Sequence, residues 1–461
     1  MNNKPETTGS SRREFLRNAA ATAAVSAGAA TVAKSSVYSL APAKVLGAAD
    51  RINIAHIGLG TQGFGAHTRL IKQYKAANNT ESVAICDLYG WRQRRAADEI
   101  GDLKQANWYW DHRKLLERKD VDAVIVATSD NWHAPIVIDA LAAGKHVYCE
   151  KPMCKTVEET YAIYDAVKKS GRKLQVGSQG CSDLKWHRAG QLVKEGKIGR
   201  VVVGQGSYMR NGRIGEWNNY GENPYMDPHK NAGPNGTGDM KIDWETFRKG
   251  AGPKEFDPDR FFRWRKYWAY GSGLVGDLLP HRLHPLFLAM AIPYDDPMKG
   301  WPIRVSSGGG LYVQKVNPDT GKPDREVPDF INVSADFEAG SMMAMSSSIN
   351  EQGWPDCVRG NKATIYFGGT TVETKVERVW SDEVDALPAE QAGDGEHIEV
   401  HEKNWLDCIR NGKEPNCNID IAARVSVMIC LAELAERYNT TFSFDPKTRK
   451  ATPDSGKYNA A

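Results

Sequence analysis

Three groups of residues carry chemistry in their types and spacing. The first is Gly58-Leu59-Gly60-Thr61-Gln62-Gly63, which ends the apolar run from Ile52 to Ile57 and precedes a helix-forming stretch. Strand, glycine turn and helix in that order make a dinucleotide site. Gly58 permits the tight turn, Gly60 leaves bare backbone for a pyrophosphate, and Gly63 lets helix and strand pack closely, with the first helical amides facing the phosphates. One βαβ unit later, Ser82-Val83-Ala84-Ile85-Cys86-Asp87 reads as a buried strand ending in a carboxylate, where an adenosine ribose presents its diol. Asp87 favours NAD, because the 2′-phosphate of the alternative, NADP, meets like charge. Arg92, Arg94 and Arg95 read as the solvated face of the next helix, with phosphate binding by one of them as the alternative.

The second group is Glu150-Lys151-Pro152, at the C-terminal end of a predicted parallel strand. Open α/β sheets bind ligands at that edge, so Lys151 is expected toward the nicotinamide end of a cofactor, held extended by Pro152. The third is Gly276-Asp277-Leu278-Leu279-Pro280-His281-Arg282-Leu283-His284. If Asp277 to Ala289 is helical, Asp277, His281 and His284 share a face. Asp277 then holds His281 in one tautomer and stabilises its protonated form, as a general base requires. A metal site competes with this reading, although no fourth ligand has matching spacing and Pro280 disturbs the first turn.

The elements that must position these groups follow from periodicity. Buried strands are expected near Ile52 to Ile57, Val83 to Cys86, Ala123 to Ala127, His146 to Cys149 and Leu174 to Val176, with amphipathic segments between them: a doubly wound parallel sheet over residues 49–177. Thr156-Val157-Glu158-Glu159 is a capping box for a helix to about Ser170. Residues 178–461 differ. A helix from Leu184 to Glu195 and a strand from Val201 to Tyr208 lead into an irregular region to about Tyr270, followed by strand-like segments near Arg304 to Val313, Phe330 to Phe337, Met342 to Ser348 and Ala363 to Phe367. That order predicts a mainly antiparallel sheet, with a helix from Ile419 to Tyr438 packing back. From Gln205 to Tyr270 about one residue in five is aromatic. Trp217, Tyr220, Tyr225, Trp244, Trp264, Tyr267 and Trp268 read equally as sugar-stacking rings or as the core of a long insertion, with Arg210 among the polar residues suited to hydroxyl recognition.

A chain of 461 residues makes two cores, and a net charge of +3 implies neither nucleic acid nor a membrane surface. No apolar span of membrane length occurs. Ser11-Arg12-Arg13-Glu14-Phe15-Leu16-Arg17, followed by an Ala-rich stretch from Ala19 to Ala33, is a twin-arginine pattern. Residues 1–48 are therefore expected to be a signal and linker, with export by the twin-arginine machinery to the periplasm or otherwise out of the cytoplasm. The eight cysteines include Cys86, Cys149 and Cys154 in or beside predicted buried strands, so most read as free core thiols. No Cys-x-x-Cys or Cys/His zinc spacing appears, and no metal is assigned.

Together the glycine turn, the Thr128-Ser129-Asp130-Asn131-Trp132-His133 loop, the run from Gly144 to Pro152, the Asp277/His281 pair and the helix with Trp405-Leu406-Asp407-Cys408-Ile409-Arg410 resemble the Gfo/Idh/MocA family of glucose-fructose oxidoreductases and inositol dehydrogenases. The resemblance implies an α/β Rossmann domain followed by an α+β domain with an open, mainly antiparallel sheet used for dimer or tetramer formation. It implies NAD, with NADP as the alternative, bound through Gly58, Gly60, Thr61, Gln62, Gly63, Asp87, Thr128, Asn131, His133, Glu150 and Lys151, and the little free NAD of a periplasm makes a tightly held cofactor the expectation. It also implies catalysis by Lys151, Asp277 and His281, and a Lys151–Pro152 peptide that is often cis in relatives. His284, Arg210 and Trp264 are candidate substrate contacts. The expected reaction is hydride transfer between nicotinamide and a sugar, sugar-derivative or cyclic-polyol hydroxyl. A glycosidase using transient oxidation and elimination is the second reading, and a non-catalytic nucleotide or sugar sensor the third.

Overall fold

Six short strands, apolar wherever neighbours cover both faces, assemble the first sheet: β1 (Ile52–Ile57), β2 (Thr80–Cys86), β3 (Trp108–Tyr109), β4 (Ala123–Val126), β5 (His146–Cys149) and β6 (Leu174–Val176). The computed structural model describes residues 50–101 and 103–454. The expected signal segment lies outside the described residues. All pairings in this sheet are parallel, in the order β3-β2-β1-β4-β5-β6. The order reverses between β1 and β4, so a crevice opens at their C-terminal ends. The two-residue β3 is too short for a periodic signal. After the glycine turn the chain enters a widened, π-type turn at Gly63–Thr68 before an ordinary helix. The capping box forms in shifted register: Thr156 Oγ1 accepts from the Glu159 amide, and Glu159 Oε2 accepts from the amide of Lys155.

The second sheet is built around β7 (Val201–Asn211). Its other strands are β8 (Arg304–Gly310), β9 (Phe330–Phe337), β10 (Gly340–Ser347), β11 (Ile349–Asn350), β12 (Cys357–Gly360), β13 (Ala363–Phe367), β14 (Thr371–Val376), β15 (Glu390–Gln391), β16 (Phe442–Asp445) and β17 (Lys450–Pro453). They run β15-β14-β13-β12-β7-β10-β9-β8-β16-β17, with β11 also on β7. β7 and β10 pair in parallel; the other pairings among the described residues are antiparallel. Helix Pro280–Ala289 packs on β7 and β10, and helix Ile419–Tyr438 bridges β8 to the Rossmann helix Val157–Ser170. Helix Ile398–Asn411 returns to the parallel sheet, burying Trp405 and Leu406 against Ile52, Ile54, Ala123, Ile125 and Tyr148.

The irregular region forms a core of its own. Trp244, Phe247, Phe261, Phe262, Trp264, Tyr267 and Tyr270 pack around Tyr89 of the Rossmann domain. Each buried ring contributes roughly 1.5–3 kcal/mol, so the insertion is clamped onto the nucleotide domain by apolar burial. Backbone bonds reinforce the clamp, from the Gly90 amide to Lys241 O (3.1 Å) and from the Asp243 amide to Leu88 O (2.9 Å).

Candidate active site

Two adjoining cavities open at the C-terminal edge of the parallel sheet. The larger spans about 1230 Å³, part of it open to solvent, between the glycine turn, the Thr128–Trp132 loop and a roof that includes Thr246, Phe247, Phe261 and Trp264. Gly58, Gly60, Thr61, Gln62, Asp87 and Thr128 line it. At Gly58 φ is +89°, and a Cβ there would sit 2.5 Å from Ala127 O, so only glycine fits the turn. Gly63 lines neither cavity; a Cβ there would fall 2.0 Å from Gly58 O, so its part is the close packing of turn against helix. Asp87 accepts from the Leu59 amide (2.7 Å) and the Tyr89 amide (2.9 Å), one on each oxygen. A carboxylate has about four acceptor positions, so a ribose diol still finds free lone pairs. Bare glycine backbone, a carboxylate at the far end and a roofed crevice fit a dinucleotide.

Arg92 and Arg95 are not solvated, contrary to the expectation for that helix. Glu222 of the insertion pairs with both, at 2.5 Å and 3.0 Å, while Arg94 meets Asp239 at the surface. A distant counter-ion cannot be read from helical periodicity.

The smaller cavity, about 750 Å³, is lined by Lys151, Asp277, His281, Arg265, Asp130, His133, Glu150, Tyr208 and Arg210, among others. It shares Thr61, Gln62, Thr128, Tyr220, Trp264 and Arg265 with the dinucleotide cleft. Lys151 leaves the end of β5 through a cis peptide to Pro152. Its Nζ donates to Asp277 Oδ1 (3.0 Å) and to Asp277 O (2.5 Å), leaving one of three N–H groups for a ligand. Arg265 Nε donates to Asp277 Oδ1 (2.9 Å) and Trp217 Nε1 to Asp277 Oδ2 (2.8 Å). Burial alone would raise the Asp277 carboxyl. The Lys151 and Arg265 charges and the indole N–H outweigh it, and hold the group well below the usual carboxylate range.

This geometry corrects the expected triad. Asp277 ends helix Gly273–Asp277, and Pro280 starts a separate helix, so Asp277, His281 and His284 do not share one helical face. Asp277 spends its oxygens on Lys151, Arg265 and Trp217 and does not orient His281. Three donors on that carboxylate, two of them cations, also oppose the competing metal reading, and among the described residues no cluster of metal ligands forms. His281 instead stacks on Tyr208, ring centroids 4.8 Å apart, with Nδ1 unpartnered. Burial, reinforced by the Lys151 charge, holds its imidazole well below the usual histidine value, so it is neutral near pH 7.

His284 lines neither cavity: it is fully buried, with Nδ1 3.1 Å from Pro280 O, and belongs to the core. Asn131 lines neither cavity either. Its Oδ1 accepts from Ser129 Oγ (2.7 Å), which braces the loop. His133 reaches the smaller cavity while bridging Pro152 O (2.7 Å) and Thr128 O (3.2 Å). Glu150 lines that cavity with its carboxylate turned to His67 (2.8 Å) and Gln62 (3.0 Å). Arg210 lines it while paired to Glu216 (2.8 Å). Of the seven aromatic candidates, Tyr220 and Trp264 line the two adjoining cavities. Arg265, Asp130 and Tyr208 were not singled out as cavity residues in the sequence. They lie in a 3₁₀ turn, at a helix start and on a strand whose inner face is set by distant partners, and no spacing marks their role.

Residues 52–178 match the model of the Gfo/Idh/MocA group, described as an oxidoreductase family with an NAD-binding Rossmann fold. Glycosyl hydrolase family 109 protein 2 of Shewanella sp. (strain ANA-3) is 30% identical over 215 residues, which is 44% of this chain and 46% of that protein. An alpha-N-acetylgalactosaminidase of Shewanella oneidensis is 27% identical over 233 residues, 45% of this chain and 50% of its own. The chain thus spans about half the length of the curated relatives it matches. Over nearly the whole fold it resembles levoglucosan dehydrogenase in complex with NADH and levoglucosan (TM-score 0.60, 18% identity, 88% of this chain and 100% of that one). It also resembles the aldose-aldose oxidoreductase of Caulobacter crescentus complexed with glycerol (TM-score 0.59, 20% identity, 86% and 100%). With the glycine turn, the carboxylate at the end of β2 and the crevice between β1 and β4 all in place, residues 52–178 form an NAD-binding Rossmann domain similar to that of the Gfo/Idh/MocA oxidoreductase family.

Proposed function

We propose that the chain is an NAD-dependent oxidoreductase acting on a CH–OH group of a sugar, sugar derivative or cyclic polyol. One observation carries the reading: Lys151, bonded to Asp277, and the neutral His281 line a single cavity that shares its wall with the dinucleotide cleft. Bound NAD supplies the hydride acceptor. Lys151 donates its remaining N–H to the substrate oxygen and favours its negative charge. His281, uncharged, accepts the hydroxyl proton. Asp277 fixes Lys151 from two atoms. Tyr220 and Trp264 offer apolar faces, and Arg210 and Arg265 polar ones, to a ring bearing hydroxyls.

The roof that the insertion places over the cleft supports tight retention of the nucleotide. The test is to incubate the full chain with NAD and a panel of sugars and inositols, following NADH formation and identifying the carbonyl product. Turnover of none of them, by a chain that binds NADH, would sink the reading.

The glycosidase reading is favoured by the family 109 relatives. The same groups would then serve a cycle in which a ring hydroxyl is oxidised with bound NAD as hydride acceptor, the neighbouring proton and the aglycone are eliminated, water adds across the resulting C=C bond, and return of the hydride restores the hydroxyl. Release of nitrophenol from a nitrophenyl N-acetylgalactosaminide with no net NADH separates this from simple dehydrogenation. We also propose periplasmic export on the pattern Arg12-Arg13 followed by the Ala-rich stretch. Replacing both arginines by lysine is expected to retain the chain in the cytoplasm. Assembly into a homo-oligomer through the open second sheet completes the proposal, and light scattering of the purified chain tests it.

A further inference from the structure

We propose that Glu222, brought to the Rossmann domain by the insertion, makes the adenosine end of the cleft selective for NAD over NADP. The inference rests on the cleft being the dinucleotide site. Asp87 and Arg92 line that end together, Arg92 Nη1 lying 3.9 Å from Asp87 Oδ1. An arginine beside the ribose carboxylate is what a 2′-phosphate needs. This arginine is already engaged. Its Nε and Nη2 donate to Glu222 Oε2 at 2.9 and 2.5 Å, and Glu222 Oε1 lies 3.0 Å from Arg95 Nη2.

The pair is also walled in. Glu222 is 6% exposed, and the rings of Phe261, Phe262 and Tyr89 surround the Arg92 guanidinium at 5.1, 5.7 and 5.8 Å. Arg92 therefore cannot swing free of Glu222 toward a phosphate without leaving its aromatic enclosure. The local charges balance: Arg92 and Arg95 against Asp87 and Glu222. A 2′-phosphate dianion entering beside Asp87 meets a carboxylate with no surplus cation to offset it, whereas a neutral 2′-hydroxyl needs only the free lone pairs of Asp87. Without the Glu222 charge the cluster carries one net positive charge, and the Nε/Nη2 fork of Arg92 becomes available for a phosphate.

The experiment measures NADH and NADPH dissociation constants by quenching of intrinsic fluorescence on the full chain. For the wild type, NADH is expected to bind at least about 30-fold more tightly than NADPH. Glu222→Gln is expected to tighten NADPH about tenfold while NADH stays within about threefold. The gain should vanish in the double variant with Arg92→Gln. If Glu222→Gln moves both nucleotides equally or neither, Glu222 merely ties the insertion down and the proposal fails. A wild type that binds NADPH within about threefold of NADH overturns it as well.

Should Glu222→Gln not fold, Glu222→Met, which fills the same enclosed site without the charge, carries the test. It is required to tighten NADPH about tenfold with NADH within about threefold, and equal movement of both nucleotides or of neither refutes the proposal. A wild type that binds neither nucleotide overturns the cofactor reading itself, and this inference with it.

Discussion

Two buried ionic clusters flank the end of β5, and consecutive residues feed them: Lys151 one, Glu150 the other. The Lys151 cluster lies on the cavity wall. Its carboxylate, Asp277, is overcompensated by an ammonium, a guanidinium and an indole N–H, and Lys151 keeps a donor unspent. The Glu150 cluster is centred on His67, which is fully buried between Glu150 Oε1 (2.8 Å) and Glu402 Oε1 (2.7 Å). Burial alone would strip the His67 proton, but the two carboxylates reverse this and raise the imidazole to about 9. Glu150, despite its burial, is held at about 2 by His67 and Lys151, whereas burial pushes Glu402 up. The contrast separates two uses of charge. Spare hydrogen-bonding capacity facing a cavity suits reactivity; a network whose charges are matched around a fully buried His67, joining the glycine-turn segment to helix Ile398–Asn411, suits architecture.

The contrast breaks most visibly if variants on the two sides behave alike. Lys151→Met or His281→Ala is expected to lower kcat about 10²–10⁴-fold on whichever substrate is turned over, with NADH affinity changed only a few-fold. Steady-state kinetics beside nucleotide titration check this. His67→Ala leaves two buried carboxylates without their cation and is expected to destabilise the fold by about 3–5 kcal/mol, read by denaturant unfolding. Asp277→Asn keeps the shape but frees Lys151 and Arg265. A loss of about tenfold to a hundredfold in kcat with little change in KM is expected.

The smallest effect is a pH dependence of stability. His67 is raised from 6.5 to about 9, so its contribution is complete below about pH 6.5 and fades as the pH climbs through 9. Glu150 is lowered from 4.5 to about 2, so its contribution is present above pH 4.5 and lost as the pH falls toward 2. Thermal melts across pH 6–10 should show a declining alkaline limb that flattens in His67→Gln. A limb unchanged in that variant would remove His67 as its cause.

The parallel sheet was legible because its signals are local. The buried runs Ile52–Ile57 and Ala123–Val126 need no knowledge of partners, and a glycine turn announces itself by spacing. The second domain was legible in outline. Short strands such as β11, β12 and β15 carry too few residues to show alternation. The Asp277–His281 relation failed at Pro280, where the helix restarts, so a four-residue separation does not mean one turn. Arg265, Trp217 and Glu222 lie in an irregular region whose core closes on Tyr89, well over a hundred positions away in the chain. Partners of that kind are fixed by folding, not by proximity along the polymer.

Trp217 and Arg265 belong to the segment that also walls the smaller cavity, yet both are bonded to the carboxylate that fixes Lys151. On the proposed function, substrate range and rate are therefore wired to the same strut. A lineage that remodels this segment to admit a new substrate would disturb the Lys151–Asp277 pair in the same step, so adaptation is expected to proceed by paired, compensating replacements rather than by free drift of the wall.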